Sequence, residues 1–539
     1  MSLNCKALIV SNIKLPVDAS IQEAFSVAKT KLRKYGLLPK NARFSVFRKS
    51  VDARRRDTIC FVISVAVSGD LSFLEERTVS YPDISLFTYS EPTVEHGSEE
   101  LSAPVVIVGA GPAGLFAALL LAEAGYAPIV IERGGSVAER TLAVKKFNES
   151  HVLNTENNIQ FGAGGAGTFS DGKLITRIND PLSAYVMRRF VELGAPEEIE
   201  YLAKPHIGTD VLAIVVENMI KRIEALGGRV MYHTRLDDIA SSGSRATAAA
   251  TSNGDISVGA LVLAVGHSAR DTYAMLMKKS FLIEPKPFSV GMRIEHLAED
   301  IDKAMYGDYA SHPALGHAEY ALSTNTKNRG VYTFCMCPGG EVVAAASEDG
   351  GVVVNGMSRH ARDGKNSNSA VVCSIFADDY GATPAGAIEF QRNIERRAFS
   401  AGGGDYGAPI ITVGDFLSDE CSTEPKRVLP TYMGGTNVRL ARPSEYLPDC
   451  AVKEIKSALL DFDKKISGFS AHDAVLSGAE TRTSAPIRIM RSGESRLALG
   501  YDNVYPIGEG AGYAGGITSA AIDGIKTAIA IIKKYAPRG

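Results

Sequence analysis

Residues 105–114 read VVIVGAGPAG, four apolar residues running into the pattern G-x-G-x-x-G. This feature constrains the fold most. A strand that ends in this turn and hands over to a helix commits its surroundings to a βαβ unit. Gly109 makes the tight turn, Gly111 lets the backbone approach a pyrophosphate, and Gly114 allows the helix to pack close. The helix N-terminus offers N–H donors and positive potential to a phosphate. Glu132 follows Gly109 by 23 residues and ends a second apolar run. A carboxylate there meets ribose hydroxyls and disfavours a 2′-phosphate. The segment reads as a dinucleotide site.

The chain has 539 residues, too many for a single core, since cores stop growing at about 250–300 residues. Apolar residues make up 45% and charged residues 22%, which excludes a disordered or fibrous chain. The net charge of −3 gives no global attraction for nucleic acid or acidic lipid. Seven cysteines are too few for a disulfide scaffold. The longest apolar stretch, 105–131, is interrupted by Gly109, Gly111, Pro112, Gly114 and Glu123, so it does not suit a bilayer helix. The N-terminus lacks the pattern of a secretory signal. These features lead us to expect a soluble, cytoplasmic protein. The 52 glycines cluster at 109–114, 162–167, 402–404 and 508–516, as where backbone is brought close to a ligand.

Periodicity divides the chain. Residues 1–95 read as βαββαβ, with strands at 7–13, 43–51, 58–67 and 84–89 and helices at 20–35 and 71–77, which suits a small ferredoxin-like α+β domain. Residues 91–102 are a polar linker. Strands at 105–108, 128–131, 230–233 and 260–265, a helix at 210–226 (apolar at Val211, Ile214, Val215, Met219, Ile220 and Ile223) and a strand–turn–helix return at 503–535 build a Rossmann-like unit. It spans 100–285 and 481–539, with 174–205 packing towards the remainder. Residues 286–480, made of short β-like runs and Pro-bounded turns, read as an inserted α+β substrate or cap domain.

Three later segments choose the cofactor. Residues 260–266 (ALVLAVG) form a strand ending in a small-residue turn, 503–510 (NVYPIGEG) form another, and 515–521 (GGITSAA) open the last helix. Here the chain resembles the glutathione-reductase-like FAD superfamily. Val265 replaces the Thr of an "ATG"-type strand end, and Glu509 replaces the Asp of a late "GD" motif. A closer resemblance lies at 157–174 (NNIQFGAGGAGTFSDGKL), 204–210 (KPHIGTD), 266–271 (GHSARD), 333–340 (TFCMCPGG), 480–484 (ETRTS) and 508–516 (GEGAGYAGG). These look like a bacterial family of FAD-dependent, or NAD- or FAD-utilising, dehydrogenases.

The resemblance implies non-covalent FAD and redox chemistry. It places Pro112, Ala113, Arg133, Leu236, Ala264, Gly266 and Gly508 around the cofactor and Glu509 on the ribityl chain. Gly515, Gly516 and Ile517 would face the flavin pyrimidine edge, where the helix dipole stabilises negative charge. Gly164, Gly165, Gly167, Thr168, Ser170, Asp171, Gly172 and Lys173 form the loop expected at the flavin ring, with Ser170, Asp171 and Lys173 bonding ring or phosphates. Its other reading is a glycine loop packed between domains.

No second nucleotide fingerprint occurs; the run 402–407 (GGGDYG) lacks a preceding strand and a following helix. NAD(P)H is therefore expected only as a transient electron donor. His267, Arg270, Arg293 and Arg482 are the catalytic candidates. An Arg can clamp a carboxylate and a His can move a proton, and each also has a structural reading as a fixed ion pair or supporting histidine. Cys335 and Cys337 invite a redox-dithiol reading. In a regular strand, however, residues i and i+2 are poorly placed for a disulfide, which favours two buried small hydrophobes. No Cys/His spacing indicates a metal. Residues 1–95 hold 14 basic and 10 acidic residues, with a basic stretch at 40–56. RNA recruitment is one reading and a charged edge strand the favoured one. The leading function is an FAD-dependent oxidoreductase acting on a small organic substrate. The alternatives are an RNA-associated flavoprotein and a redox-silent FAD scaffold.

Overall fold

The computed structural model describes residues 4–74, 81–176, 178–325 and 329–538. At its centre the strand Val105–Val108 is buried along its whole length, so it has no polar alternation. It lies in a five-stranded parallel sheet between Ala260–Leu263 and Ile129–Ile131, with Val504–Pro506 and Arg229–Met231 at the edges. The helix Pro112–Glu123 is apolar almost all round and buried from Ala113 to Ala122. It is sandwiched between the sheet and the C-terminal helix Ile517–Lys534, and the would-be Cβ of Gly524 would meet the Ala113 carbonyl at 2.1 Å. The helix Thr209–Ala225 packs beside it through Leu212, Val215, Val216, Met219, Ile220 and Ile223, whereas Ile214 is exposed. Val215, Met219, Ile220 and Ile223 are thus buried as expected, Val211 is half-buried, and Leu212 and Val216 take the place of Ile214. A three-stranded antiparallel sheet, Leu236–Ser242, Arg245–Thr251 and Gly254–Ser257, follows.

A second large sheet has seven strands in the order Ser323–Asn325, Gly330–Cys337, Asn366–Ile375, Phe288–Leu297, Val475–Glu480, Ala408–Thr412, Val438–Leu440. Only its last pair is parallel. The two central strands run ten residues each and are buried nearly throughout. Helices Pro384–Ala401 and Asp449–Lys465 belong to this region, so residues 286–480 are more regular than short runs and turns.

The N-terminal sheet is antiparallel, in the order Lys40–Asp52, Cys60–Asp70, Asn4–Pro16, Ile84–Ser90. The helix Ile21–Lys34 covers it through Ala24, Ala28 and Leu32. The helix expected at 71–77 begins as a single turn, Ser72–Leu74, and its remainder lies outside the described residues. The edge strand that carries the basic stretch is not wholly free. Lys49 donates its N–H to the Tyr201 carbonyl at 2.7 Å and accepts from the Ala203 N–H at 2.8 Å, docking this sheet on the central body. Among the described residues, no helix is long and apolar enough to cross a membrane.

Candidate functional site

The glycine turn has the geometry its spacing dictates. Gly109 has φ +105°, and a Cβ there would lie 2.4 Å from the Ala264 carbonyl oxygen. A Cβ on Gly114 would lie 2.0 Å from the Gly109 carbonyl, so this glycine seats the helix on its own turn. Gly111 is different. Its nearest neighbour would be the Gly165 Cα at 3.9 Å, leaving open space in front of the helix N-terminus.

A cavity opens from that turn, enclosing about 1490 Å³ with its mouth included. It is lined by every cofactor residue expected from the sequence except Gly114, Gly164 and Thr168. Gly114 acts by packing. Gly164, at φ +85°, would carry a Cβ 2.0 Å from the Thr168 hydroxyl, so these two residues shape the loop from behind. At one end, Glu132 is 5% exposed and accepts backbone N–H groups from Ala110 (2.9 Å), Gly134 (3.0 Å) and Gly162 (2.9 Å). A carboxylate retains further lone pairs for a ribose. Arg133 lies over the Phe161 ring and pairs with Asp271 at 2.6 Å, forming a flat wall beside Leu236.

The loop 162–173 crosses the phosphate turn, with the Gly164 N–H donating to the Ala110 carbonyl at 2.8 Å. Its anchor, which no motif announces, is the fully buried Arg140. That guanidinium donates to the carbonyls of Asn158 (2.8 Å), Ile159 (2.5 Å) and Ala163 (2.8 Å). The polar groups expected to bond ring or phosphates are engaged within the protein. Asp171 is held by Lys173 (2.7 Å), Arg362 (2.6 Å) and Ser358. Ser170 donates to the Gly167 carbonyl at 2.6 Å and accepts the Gly172 N–H at 3.0 Å. The loop thus offers mainly backbone to the cavity and joins it to the segment around Arg362.

Further along, Asp523 accepts the Gly508 N–H at 2.8 Å and is itself held by Arg491 at 2.7 Å and by Arg496. This fixes the turn that presents Glu509. Burial pushes the Glu509 carboxyl up to about 7, against the opposing pull of Lys286. Gly515, Gly516 and Ile517 also line the cavity, so the N-terminus of the last helix opens onto it.

The catalytic candidates separate. Arg293 is fully buried in a bidentate pair with Glu480 (2.8 and 2.9 Å) and also reaches Asn368 and the Cys335 carbonyl. Arg270 is locked on Glu395 (2.7 and 2.8 Å), Glu348 (2.6 Å) and Gln391. Neither lines the cavity, and both are held in buried ion pairs. Arg482 does line it, donating to Ser268 (2.8 Å), Ser347 and Glu395 (3.1 Å). His267 lines it too, with burial and then Arg482 and Arg270 pulling its pKa down to about 3; it is neutral at physiological pH. The Ser268 hydroxyl has one proton, which goes to Gln160 at 3.1 Å, and it accepts from Arg482. The His267 Nδ1 at 2.9 Å is therefore the protonated nitrogen, leaving Nε2 as a bare acceptor. Gln160, Ser268, Phe334, Asn355 and Thr483 complete this wall. Of these, 157–161 lay in a motif without an assigned role, and Asn355 carried no signal.

Among the described residues, one Rossmann-type sheet, its pyrophosphate-ready turn and a long cavity suit a dinucleotide, and comparison with known proteins makes the protein an FAD-binding flavoprotein. Residues 102–145 match an FAD binding domain, and 287–483 match the family described as "FAD-dependent protein, C-terminal domain-like". The chain belongs to one family with an uncharacterized protein of Clostridium beijerinckii, to which it is 44% identical over 98% of its own length and 99% of the relative's. Similar solved structures include glycine oxidase from Bacillus cereus (11% identity, 81% of this chain and 99% of that one, TM-score 0.35) and L-amino acid deaminase from Proteus vulgaris (13%, 83% and 97%, 0.34).

Proposed function

We propose that the protein is an FAD-dependent oxidoreductase that moves a hydride equivalent between flavin and a small organic molecule. One observation carries this reading: a single cavity joins the phosphate turn to strand Gly330–Cys337 of the other large sheet and to strand Val354–Met357 of a two-stranded sheet beside it. A dinucleotide laid from Glu132 to the last helix leaves the space bounded by that sheet for a substrate. FAD supplies two-electron chemistry when bound. The protein's part is positioning. The helix N-terminus at Ile517 offsets negative charge on the ring system, the neutral His267 Nε2 accepts a hydrogen bond, and Arg482, paired with Glu395, holds the wall on which His267 and Ser268 sit. In this reading 100–285 and 481–539 form the FAD domain, 286–480 an inserted substrate domain, and 1–95 a ferredoxin-like unit. NAD(P)H reaches the flavin only transiently. Anaerobic photoreduction followed by a screen of oxidised and reduced small molecules tests the proposal. Reoxidation or reduction of the flavin by a member of one chemical class supports it. A flavin that no compound oxidises or reduces identifies a redox-silent scaffold.

A further inference from the structure

We propose that Cys335 and Cys337 form a dithiol–disulfide pair that exchanges two electrons with the flavin and gives the chain a second redox store. The inference rests on flavin occupying the cavity.

In a regular strand residues i and i+2 are poorly placed for a disulfide, but the strand Gly330–Cys337 is not regular. Its register against Asn366–Ile375 shifts between Phe334 and Cys337, so two residues face one across the ladder. Cys335 itself has φ +43°, an uncommon conformation for a residue with a side chain. A bulge of this kind re-aims a side chain, so strand alternation no longer sets the directions of the two thiols. The bulged peptide is held in place: the Cys335 carbonyl accepts from Arg293 Nη1 at 3.1 Å and from Cys337 Sγ at 3.3 Å. Cys337 is buried and Cys335 exposed, and both line the cavity that begins at the phosphate turn.

With a dinucleotide laid from Glu132 to the last helix, they lie towards its ring end. The Asp171–Lys173 corner influences both thiols, and its loop meets the last helix where a Cβ on Gly167 would lie 3.1 Å from Ile517. The charged groups around the pair are Arg293, Lys173, Glu480, Asp171 and Arg362. Burial keeps the Cys337 thiol protonated at neutral pH, at about 11. The pair therefore resists casual oxidation and reacts faster as pH rises.

The step balances. Two S–H bonds break, one S–S bond forms, and two electrons and two protons pass to oxidised flavin; the reverse step restores both thiols. The test uses intact holoprotein, oxidised with ferricyanide, desalted and titrated anaerobically with dithionite. We expect uptake of four electrons per FAD. The Cys335–Cys337 peptide should be lighter by two hydrogens and closed to iodoacetamide at the start, and doubly alkylated at the end. Cys335→Ser and Cys337→Ser should each take up only two electrons while keeping the flavin spectrum. Two electrons per FAD in the wild type, or both thiols alkylated in the oxidised protein, overturns the pair without touching the flavin reading. Protein that carries no flavin contradicts the FAD reading instead, and the thiol mass still reports on the pair without any variant.

Discussion

Gly111 and Gly114 stand three residues apart and fail in different ways. Beside Gly111 there is room, and beside Gly114 there is the Gly109 carbonyl at 2.0 Å from any added Cβ. Gly111→Val should therefore fold with an apoprotein Tm close to wild type yet lose its flavin, because the branched side chain fills the pyrophosphate's place. Gly114→Ala should instead lose stability, by about 1–3 kcal/mol or more, since an overpacked core must shift. Flavin absorbance and thermal melts of both variants separate the two roles. Glu509 offers a pH test. Its folded pKa is raised from 4.5 to about 7 by burial, so the folded protein holds this proton more tightly than the unfolded chain. That contribution is present below 4.5, falls away as pH rises towards 7, and stays lost above it. Glu509→Gln is neutral throughout, so the variant's apoprotein should gain Tm relative to wild type between pH 4.5 and pH 8. An unchanged difference would show that Glu509 is ionised in the fold across this range.

At the scale of elements, a buried ion cluster joins the helix Arg270–Lys278, the helix Pro384–Ala401 and the return segment at 480–484. Burial alone would raise the Glu395 carboxyl, but Arg270 and Arg482 hold it well below the usual range. Glu395→Gln leaves both arginines short of their counter-charge and should cost about 3–5 kcal/mol, read as a shift in the urea midpoint. What the sequence made legible follows the same physics. The strand into Gly109 and the helix out of it were readable because glycine spacing there answers to covalent geometry. The ten-residue strands Phe288–Leu297 and Asn366–Ile375 were not, because strands buried on both faces carry no alternation. Arg140 was invisible because its partners are carbonyls, which leave no side-chain signature. The bulge at Cys335 was hidden too, since no glycine marks its left-handed residue.

At the scale of the molecule, the described residues contain one parallel sheet with one phosphate turn, which the proposed function gives to FAD. A nicotinamide donor then has no helix N-terminus of its own for its pyrophosphate. Anaerobic stopped-flow should show slow flavin reduction by NADH or NADPH, rising almost linearly with concentration, and faster reduction by the true substrate, which the cavity pre-orients. Rapid reduction that saturates at micromolar NADPH would mean that residues 286–480 hold a nicotinamide site. The central claim is that the cavity from Glu132 to Ile517 holds a dinucleotide. Its most direct test is acid release of the cofactor from purified protein, followed by chromatography of the supernatant. The account requires FAD, at close to one per chain in fully loaded protein, because Glu132 and the phosphate turn specify the adenosine half. Release of FMN alone would contradict it.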